Sequence, residues 1–107
     1  MELKQYAIVL VNLDPTVGHE IKKTRPCVIV SPNEMNKYLK TIVIAPMTTN
    51  SKEYPSRILV KHNNTMGMVA LDQIRTVDKA RILKVFGKLS KGEIQKCKAT
   101  LKEIFVD

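Results

Sequence analysis

A short polar segment between two apolar runs carries five side chains whose chemistry is complementary. They are one imidazole, one carboxylate and three cations, namely His19, Glu20, Lys22, Lys23 and Arg25. Arginine presents its donors in a fork that matches phosphate oxygens, and an imidazole or a carboxylate can accept a proton. Because Arg25 stands at the start of an apolar run, a strand would fix its position. The segment therefore predicts a site for a negatively charged substrate.

Further polar side chains stand at the ends of later apolar runs: Thr48 and Thr49, then Asp72 and Gln73. If these strand ends converge, threonine hydroxyls can add hydrogen bonds to a phosphate that arginine binds. Such a set suits metal-free cleavage of RNA, in which the 2′-hydroxyl attacks the adjacent phosphorus and the protein stabilises the charged transition state. A plainer interpretation stays open at this point, because each residue could also be a surface ion-pair partner or a turn residue.

The formal net charge of +8 and the pI near 9.7 indicate a polyanionic partner, either a nucleic acid or an acidic protein. A basic surface that serves only solubility is the alternative. The sequence contains no phosphate-binding loop, dinucleotide fingerprint, zinc-protease motif or nucleophile elbow. Cys27 and Cys97 belong to no metal-ligand pattern, so we expect no metal, no cofactor and two buried thiols in a reducing compartment.

The elements that must position these residues are mainly strands. The chain has 107 residues, a length typical of one domain, so we expect residues 1–107 to form one. Short β-branched runs predict six or seven strands, of which the third covers residues 41–45 and ends at Pro46. Residues 62–67 are predicted to form a hairpin turn, in which His62 would be an exposed loop residue.

One convincing helix is predicted at the C-terminal end. Ser90 and Glu93 have the spacing of a capping box. Apolar residues then recur at helical spacing and are expected to pack on the core: Ile94, Cys97, Leu101, Ile104 and Phe105. The whole pattern predicts a small curled β-sheet or barrel that is capped by this helix.

The longest apolar run, residues 7–11, is far too short to span a membrane. The N-terminal segment also lacks the apolar stretch of a secretory signal. We therefore expect a soluble, cytoplasmic protein with no membrane partner.

Several ordered motifs of the chain resemble the MazF/PemK family of toxins from bacterial toxin–antitoxin systems. The first motif is LDPTxGxE over residues 13–20, followed four residues later by RPxVIVxP over residues 25–32. PMTT at residues 46–49, with a tyrosine–proline pair at 54–55, and VxxDQxRT at residues 69–76 resemble later segments of the family. The resemblance covers nearly the full length and includes the terminal helix.

The resemblance implies an SH3-like small β-barrel with a C-terminal helix, the CcdB/PemK-type toxin fold, in a homodimer. It implies a metal-independent, sequence-specific endoribonuclease that cuts single-stranded mRNA and leaves 2′,3′-cyclic phosphate and 5′-hydroxyl ends. An acidic antitoxin is the implied protein partner. Two alternatives stay open: a CcdB-like inhibitor of DNA gyrase that cuts nothing, and an SH3-like barrel that binds RNA without catalysis.

By position in these motifs, Arg25 matches the family's catalytic arginine and Thr48 its catalytic threonine. Since arginine stays protonated in proteins, it is a poor general base, so we expect Arg25 to clamp the phosphate and Thr48 to orient it. Arg25 is also a candidate proton donor, and Glu20 and His19 are the candidate bases. His19 matches a histidine of the Kid/PemK branch, but Ala70 replaces that branch's second arginine, so its mechanism does not transfer whole.

Six further residues are predicted to bind RNA: Lys22, Lys23, Thr49, Lys52, Asp72 and Gln73. The lysines are expected to attract the phosphate backbone regardless of base sequence. Thr49, Asp72 and Gln73, like Glu20, match positions that line the RNA site in some proteins of the family. The chain departs from the family in one place, because the glycine that usually precedes the first strand is absent around residues 4–6.

Overall fold

The computed structural model describes residues 2–49 and 54–106, and within them it contains seven strands and two α-helices. The strands are β1 (Ala7–Asn12), β2 (Thr24–Ile29), β3 (Thr41–Thr48), β4 (Arg57–His62), β5 (Thr65–Ala70), β6 (Arg75–Asp78) and β7 (Ile82–Lys88). The helices are α1 (Asn33–Tyr38) and α2 (Lys91–Phe105), and short 3-10 turns span Leu71–Gln73 and Lys79–Arg81. The prediction of a mainly β fold with a C-terminal helix is therefore confirmed.

The strands form one antiparallel sheet in the order β4-β5-β3-β2-β1-β7, and β6 pairs with β3 beside this path. Strand β3 connects the two parts of the sheet. Its residues up to Pro46 pair with β2 or β6, whereas its last two residues, Met47 and Thr48, pair with β5. This exchange of partners curls the sheet and brings the end of β3 close to the start of β2 and to the β4–β5 hairpin.

Pro46 lies inside β3, so the prediction that the third strand ends at this proline is wrong. Proline has no amide hydrogen and normally interrupts a ladder. Strand β3 tolerates it because Pro46, opposite Cys27, is the point at which β3 leaves β2. Thr48 is consequently the last residue of a strand and is held by regular pairing with β5.

The β4–β5 hairpin is tighter than the predicted turn over residues 62–67, and that prediction is wrong at both ends. His62 pairs with Thr65, and only Asn63 and Asn64 form the turn, with φ angles of 50° and 58°. Two consecutive left-handed residues are typical of a type I′ turn, a conformation that asparagine tolerates better than most residues. His62 therefore ends a strand instead of standing in a loop.

Strand β1 is buried on both faces, as an apolar run without alternation predicts. Ala7, Val9 and Val11 pack into one hydrophobic core with β2, β3 and β6. Tyr6 and Ile8 face a second core that β4, β5 and helix α2 cover. The central part of the sheet is thereby fixed from both sides, and the site described below lies at its margin.

Helix α2 begins with the predicted capping box. The Ser90 hydroxyl accepts a hydrogen bond from the Glu93 amide at 3.2 Å, and the Glu93 carboxylate accepts one from the Ser90 amide at 2.9 Å. Glu93 also accepts a hydrogen bond from the Lys61 amide at 2.8 Å, which joins the helix to β4. Burial by itself would raise the pKa of Glu93. The hydrogen bonds together outweigh this effect, so the pKa lies below its ordinary value.

Three of the five residues of the apolar stripe of α2 pack on the core. Cys97 is fully buried, and Ile94 and Leu101 pack against the same core. Ile104 and Phe105, which were expected to be core residues, are 38% and 64% exposed because they lie in the last turn of the helix, beyond the last of its residues that pack on the core. No helix within residues 2–49 and 54–106 is long and apolar enough to cross a membrane.

Candidate active site at the end of β3

A small cleft at the end of β3 unites three of the residues predicted from the sequence. Its volume is about 120 Å³, and it is lined by Arg25, Pro26, Met47, Thr48, Thr49, His62, Thr65, Met66 and Gly67. We name it the arginine cleft. Arg25 comes from β2, the threonines come from the end of β3, and the remaining walls come from the β4–β5 hairpin. The expected convergence of strand ends thus occurs for Arg25, Thr48 and Thr49.

Arg25 is half-buried, and pairing with Val11 of β1 fixes its backbone. Its Nε donates a hydrogen bond to the Lys22 carbonyl oxygen at 2.9 Å. Within the described part of the chain, the terminal guanidinium nitrogens make no further hydrogen bond. The side chain is therefore tethered at one nitrogen, while its outer fork can bind a ligand with phosphate geometry.

Thr48 is buried at the base of the arginine cleft, with an exposed fraction of 9%. Its backbone pairs with Met68 of β5, so the position of its hydroxyl is set by two strands. Thr49 follows the strand and is exposed at the rim of the cleft. A hydroxyl at the base and another at the rim can both donate hydrogen bonds to oxygens of a bound anion.

A second cleft of about 390 Å³ holds the other predicted residues, and we name it the loop cleft. It is lined by Val17, His19, Glu20, Ile21, Pro46, Asp72, Gln73, Ile74 and Arg75. None of these residues lines the arginine cleft. The structure therefore places His19 and Glu20 with Asp72 and Gln73 in the loop cleft, whereas Arg25 and Thr48 line the arginine cleft.

The carboxylate of Glu20 turns back onto its own loop. It accepts a hydrogen bond from the Val17 amide, and the Glu20 amide donates to the Val17 carbonyl oxygen at 3.2 Å. This reciprocal pair closes a tight turn in which Gly18 has a φ of +57°, a conformation that favours glycine. Glu20 therefore stabilises the loop, and its carboxylate already has a partner.

Gln73 holds the same loop from the opposite side. Its Oε1 accepts a hydrogen bond from the Ile21 amide at 2.6 Å, and its Nε2 lies 3.4 Å from the His19 carbonyl oxygen. Two further arginines also donate to the loop backbone: Arg75 to the Leu13 carbonyl oxygen and Arg81 to the Asn12 carbonyl oxygen. The long β1–β2 loop is thus fastened to the sheet by side chains from distant parts of the sequence.

Asp72 is occupied by contacts with β4. Its carboxylate accepts hydrogen bonds from Ser56 at 3.0 Å and from Arg57 at 3.2 and 3.3 Å. Burial by itself would raise the pKa of Asp72. The hydrogen bonds from Arg57 and Ser56 outweigh this effect, so the pKa lies below its ordinary value. Arg57 in turn stacks on Tyr54, with 4.9 Å between its guanidinium carbon and the ring centroid. Asp72 thereby holds the start of β4 in place.

The predicted lysines of the β1–β2 loop are exposed. Lys22 accepts the hydrogen bond from Arg25 through its carbonyl oxygen, so its side chain starts next to the arginine cleft. Lys23 has a φ of 74°, and its amide donates to Asp14 at 3.1 Å, which closes the base of the loop. Both ammonium groups can approach a polyanion bound at Arg25. Lys52, the third predicted lysine, lies outside the described residues.

His62 is the site residue that the sequence interpretation missed. It was taken as an exposed loop residue, but it is half-buried at the end of β4 and lines the arginine cleft. A signal in the sequence could have identified it, because Ile58 and Val60 are the buried residues of β4 and His62 continues their alternation. The turn residues Asn63 and Asn64 also limit the hairpin turn to two residues.

The two cysteines are buried and unpaired, as expected from the sequence. Burial raises the pKa of Cys27 to about 12 and that of Cys97 to about 11, so both thiols stay protonated near neutral pH. Within the described ranges, no group of three or more His, Cys, Asp or Glu side chains is arranged to hold a metal ion. The described residues that line the arginine cleft include arginine, threonine and histidine side chains, which can bind a phosphate and move a proton.

Comparison with known proteins identifies the family of this chain. Residues 4–105 match the family described as PemK-like, MazF-like toxin of type II toxin–antitoxin system. The chain is 30% identical to the endoribonuclease toxin MazF of Escherichia coli strain K12 over 95 residues, which are 88% of this chain and 86% of that protein. It is 37% identical to an endoribonuclease PemK of Escherichia coli over 86 residues, which are 75% of this chain and 65% of that protein.

Solved structures show the same fold. A crystal structure of MazF from Deinococcus radiodurans superposes with a TM-score of 0.85 at 22% identity, covering 97% of this chain and 96% of that one. A mycobacterial endoribonuclease in complex with its cognate antitoxin superposes with a TM-score of 0.79 at 20% identity, covering 94% of this chain and 91% of that one. At these identities the structural likeness concerns the fold.

Proposed function

The chain belongs to the PemK-like, MazF-like toxin family of type II toxin–antitoxin systems, and on that premise we propose that it is an endoribonuclease that cuts single-stranded RNA without a metal ion. The observation that carries the proposal is the joint position of Arg25 and Thr48 in the arginine cleft. They are the two residues that match the catalytic arginine and threonine of the family. Relatives that are 30% and 37% identical to this chain over the aligned residues are named endoribonucleases, which supports this function over inhibition of DNA gyrase.

In the proposed reaction, the outer fork of Arg25 donates hydrogen bonds to the nonbridging oxygens of the scissile phosphate. The 2′-oxygen of the preceding ribose attacks the phosphorus, and the bond between phosphorus and the 5′-oxygen breaks. The phosphate gains negative charge in the transition state, so a fixed cation binds it more tightly then than in the ground state. Thr48 orients the phosphate through its hydroxyl. The products are a 2′,3′-cyclic phosphate and a 5′-hydroxyl end.

The RNA chain is proposed to extend from the arginine cleft into the loop cleft. Pro46 lines the loop cleft and the next residue, Met47, lines the arginine cleft, so the two sites lie on consecutive residues of β3. Lys22 and Lys23, with Lys52, would attract the phosphate backbone, and Thr49 would contact it at the rim. His19, Glu20, Asp72 and Gln73 would meet the neighbouring nucleotides, where base specificity arises.

An acidic antitoxin and a second copy of the chain are the proposed protein partners. The formal charge of +8 supports attraction to an acidic chain, and one structural neighbour was solved with its cognate antitoxin. The exposed apolar residues at the end of α2, Phe105 and Val106, support an interface with another chain. We further propose that residues 1–107 form one toxin domain and that it acts in the cytoplasm, where its mRNA substrate is found.

The test of this function uses purified protein and single-stranded RNA in the presence of EDTA. Cleavage that yields cyclic-phosphate ends should persist in EDTA and fall by about 10²- to 10³-fold in Arg25→Ala, because one preorganised donor of transition-state charge is removed. Thr48→Val, which keeps the shape but removes the hydroxyl, should lower the rate as well.

The matched control is Lys98→Ala, which removes one exposed positive charge from α2, an element that lines neither cleft. Its cleavage rate should stay within about twofold of the wild-type rate, since surface charges of this kind contribute little. A requirement for added metal would contradict the mechanism. Growth arrest with intact RNA and damaged DNA would contradict the ribonuclease function and favour gyrase inhibition.

A further inference from the structure

Among the described residues that line the arginine cleft, His62 is the only one whose side chain carries an imidazole or a carboxylate. It faces the cleft from β4, while Arg25 comes from β2 and Thr48 from β3. The position is built by regular structure, because His62 pairs with Thr65 across a two-residue turn. A histidine at the end of a rigid hairpin is better placed for chemistry than one in a long loop.

The ring of His62 is held by two neighbours. It packs against Phe86 of β7, with 4.8 Å between ring centroids and 60° between the ring planes. The Asn63 amide nitrogen lies 3.4 Å from Nε2, so one ring nitrogen has a partner within its own turn. Within the described residues, no hydrogen bond engages Nδ1. Because the Asn63 amide nitrogen is a donor, Nε2 accepts in this long contact and is the unprotonated nitrogen of the neutral ring, while Nδ1 carries the proton.

Two cations lie near His62 among the described residues, and on α2 the Glu93 carboxylate accepts a hydrogen bond from the amide of the adjacent residue Lys61. Arg25 lies across the cleft on β2, and Lys84 on β7 lies 5.3 Å from the centroid of the Phe86 ring on which His62 packs. β3 and β5 contribute neutral residues to the cleft, among them Thr48 and Thr65. The imidazole therefore stands where a phosphate would be drawn in, and no carboxylate is among the described residues that line the cleft.

We propose that His62 is the general base of the RNA cleavage described above, an inference that rests on the proposed ribonuclease function. Nε2 of neutral His62 exchanges its long contact with Asn63 for the attacking 2′-hydroxyl and takes the proton of that hydroxyl as the bond between the 2′-oxygen and phosphorus forms. The 5′-oxygen leaves with the electron pair of its broken bond to phosphorus and takes a proton from a solvent water. The imidazolium then returns its proton to solvent, so the enzyme regains its starting state and protons balance.

This assignment fills a gap in the predicted site. A guanidinium cannot serve as the base, because arginine stays protonated. The two bases expected from the sequence, Glu20 and His19, line the loop cleft instead of the arginine cleft. Glu20 is moreover engaged with the Val17 amide. A general base must come within hydrogen-bond reach of the proton that it removes, and His62 shares a cleft with the residues proposed to hold the phosphate.

The test compares His62→Gln with the wild type on single-stranded RNA in EDTA, from pH 5 to pH 9. Loss of a general base should lower kcat about 10²- to 10³-fold with less than about a threefold change in KM. The wild-type rate should fall on the acidic side, where an imidazole takes up a proton, and this acidic limb should be missing in His62→Gln. Added imidazole should restore part of the rate of His62→Ala.

Two further variants keep the result interpretable. His62→Phe retains an aromatic ring that can pack on Phe86, so it should fold and still lose the rate and the acidic limb. Asn64→Gly is the control for the hairpin, because glycine adopts the φ of 58° readily, and its rate and pH profile should match the wild type.

The outcomes separate the two proposals. If the wild type cleaves RNA and Arg25→Ala does not, but His62→Gln retains the wild-type rate and acidic limb, the role of His62 is overturned and the ribonuclease function stands. Loss of the acidic limb in His19→Gln instead would also overturn the role of His62 and leave the ribonuclease function standing. So would a loss of activity in His62→Ala that imidazole does not restore, if the acidic limb of the pH profile persists in that variant. If the wild type cleaves no RNA, both proposals fail.

Discussion

At the scale of single residues, the polar side chains near the site divide into those that hold the protein together and those that can bind a ligand. Glu20 and Gln73 are engaged with the backbone of the β1–β2 loop, and Asp72 is engaged with Arg57. Arg25, by contrast, uses only Nε in a described hydrogen bond. A side chain whose hydrogen-bonding groups are already satisfied gains less from binding RNA, because it must first exchange one partner for another.

Asp72 allows a prediction about stability and pH. Because its pKa is lower in the folded protein than its ordinary value of 3.8, the ionised carboxylate stabilises the fold at neutral pH. This stabilisation is lost as the pH falls through the lowered folded-state pKa. Asp72→Asn should therefore reduce the free energy of unfolding at pH 7 by up to about 1 kcal/mol, the scale of a partly exposed ion pair.

Urea unfolding at pH 7 and again at about pH 2.5 measures this effect, the lower value being below the ordinary pKa of aspartate. The difference between Asp72→Asn and the wild type should shrink at the lower pH, since the wild-type carboxylate is then becoming protonated. Glu103→Gln, a change at an exposed carboxylate of α2, serves as the control. A difference that stays constant with pH would show that the charge of Asp72 contributes nothing.

At the scale of elements, the β1–β2 loop depends on side chains far from it in sequence. Gln73 bonds to the loop at the Ile21 amide and the His19 carbonyl oxygen, 52 and 54 residues away. These bonds hold the wall of the loop cleft against the 3-10 turn that follows β5. The shape of the loop is therefore a property of the folded sheet, and a change at Gln73 should alter the loop without unfolding the protein.

Gln73→Ala should free this loop. A hydrogen bond contributes about 0.5–1.5 kcal/mol, so loss of the bond to the Ile21 amide should speed hydrogen exchange at that amide by about two- to tenfold. Exchange in the central strand β2 should stay unchanged. Gln95→Ala, at an exposed glutamine of α2, is the matched control. Unchanged exchange at Ile21 in Gln73→Ala would contradict the role of Gln73 as a loop tether.

At the scale of the whole molecule, the net charge of +8 governs encounter with RNA. The exposed lysines act over distances that a single contact cannot reach, and they act without regard to base sequence. Arg25, Thr48 and His62 act only after the phosphate lies in the arginine cleft. Affinity and catalysis should therefore respond differently to salt, because binding releases counterions while proton transfer inside the cleft does not.

Binding of 2′-O-methyl RNA, which lacks the attacking hydroxyl, isolates this first step. The logarithm of the association constant should fall linearly with the logarithm of salt concentration, with a slope of about −2 to −3 if three or four phosphates are neutralised. The double variant Lys22→Ala, Lys23→Ala should lower the steepness of that slope by about 1.4. A slope near zero would show that base contacts dominate binding. An unchanged slope in the double variant would show that Lys22 and Lys23 do not contact the phosphate backbone.

Features that depend on neighbours along the chain can be predicted from the sequence. The mainly β architecture follows from β-branched runs, and the start of α2 follows from the spacing of Ser90 and Glu93. Arg25 and Thr48 were also identified from the sequence, since family motifs preserve their spacing.

Only the tertiary structure decided which side chains share a cleft. Pro46 is tolerated inside β3 because the strand changes partners there, and partner exchange leaves no mark in the local sequence. The same exchange carries the β4–β5 hairpin to Arg25, so His62 enters the arginine cleft while His19 and Glu20 remain in the loop cleft. Proximity of this kind depends on the curl of the whole sheet, which is a sum over long-range pairings, and it could not be read from the spacing of residues along the chain.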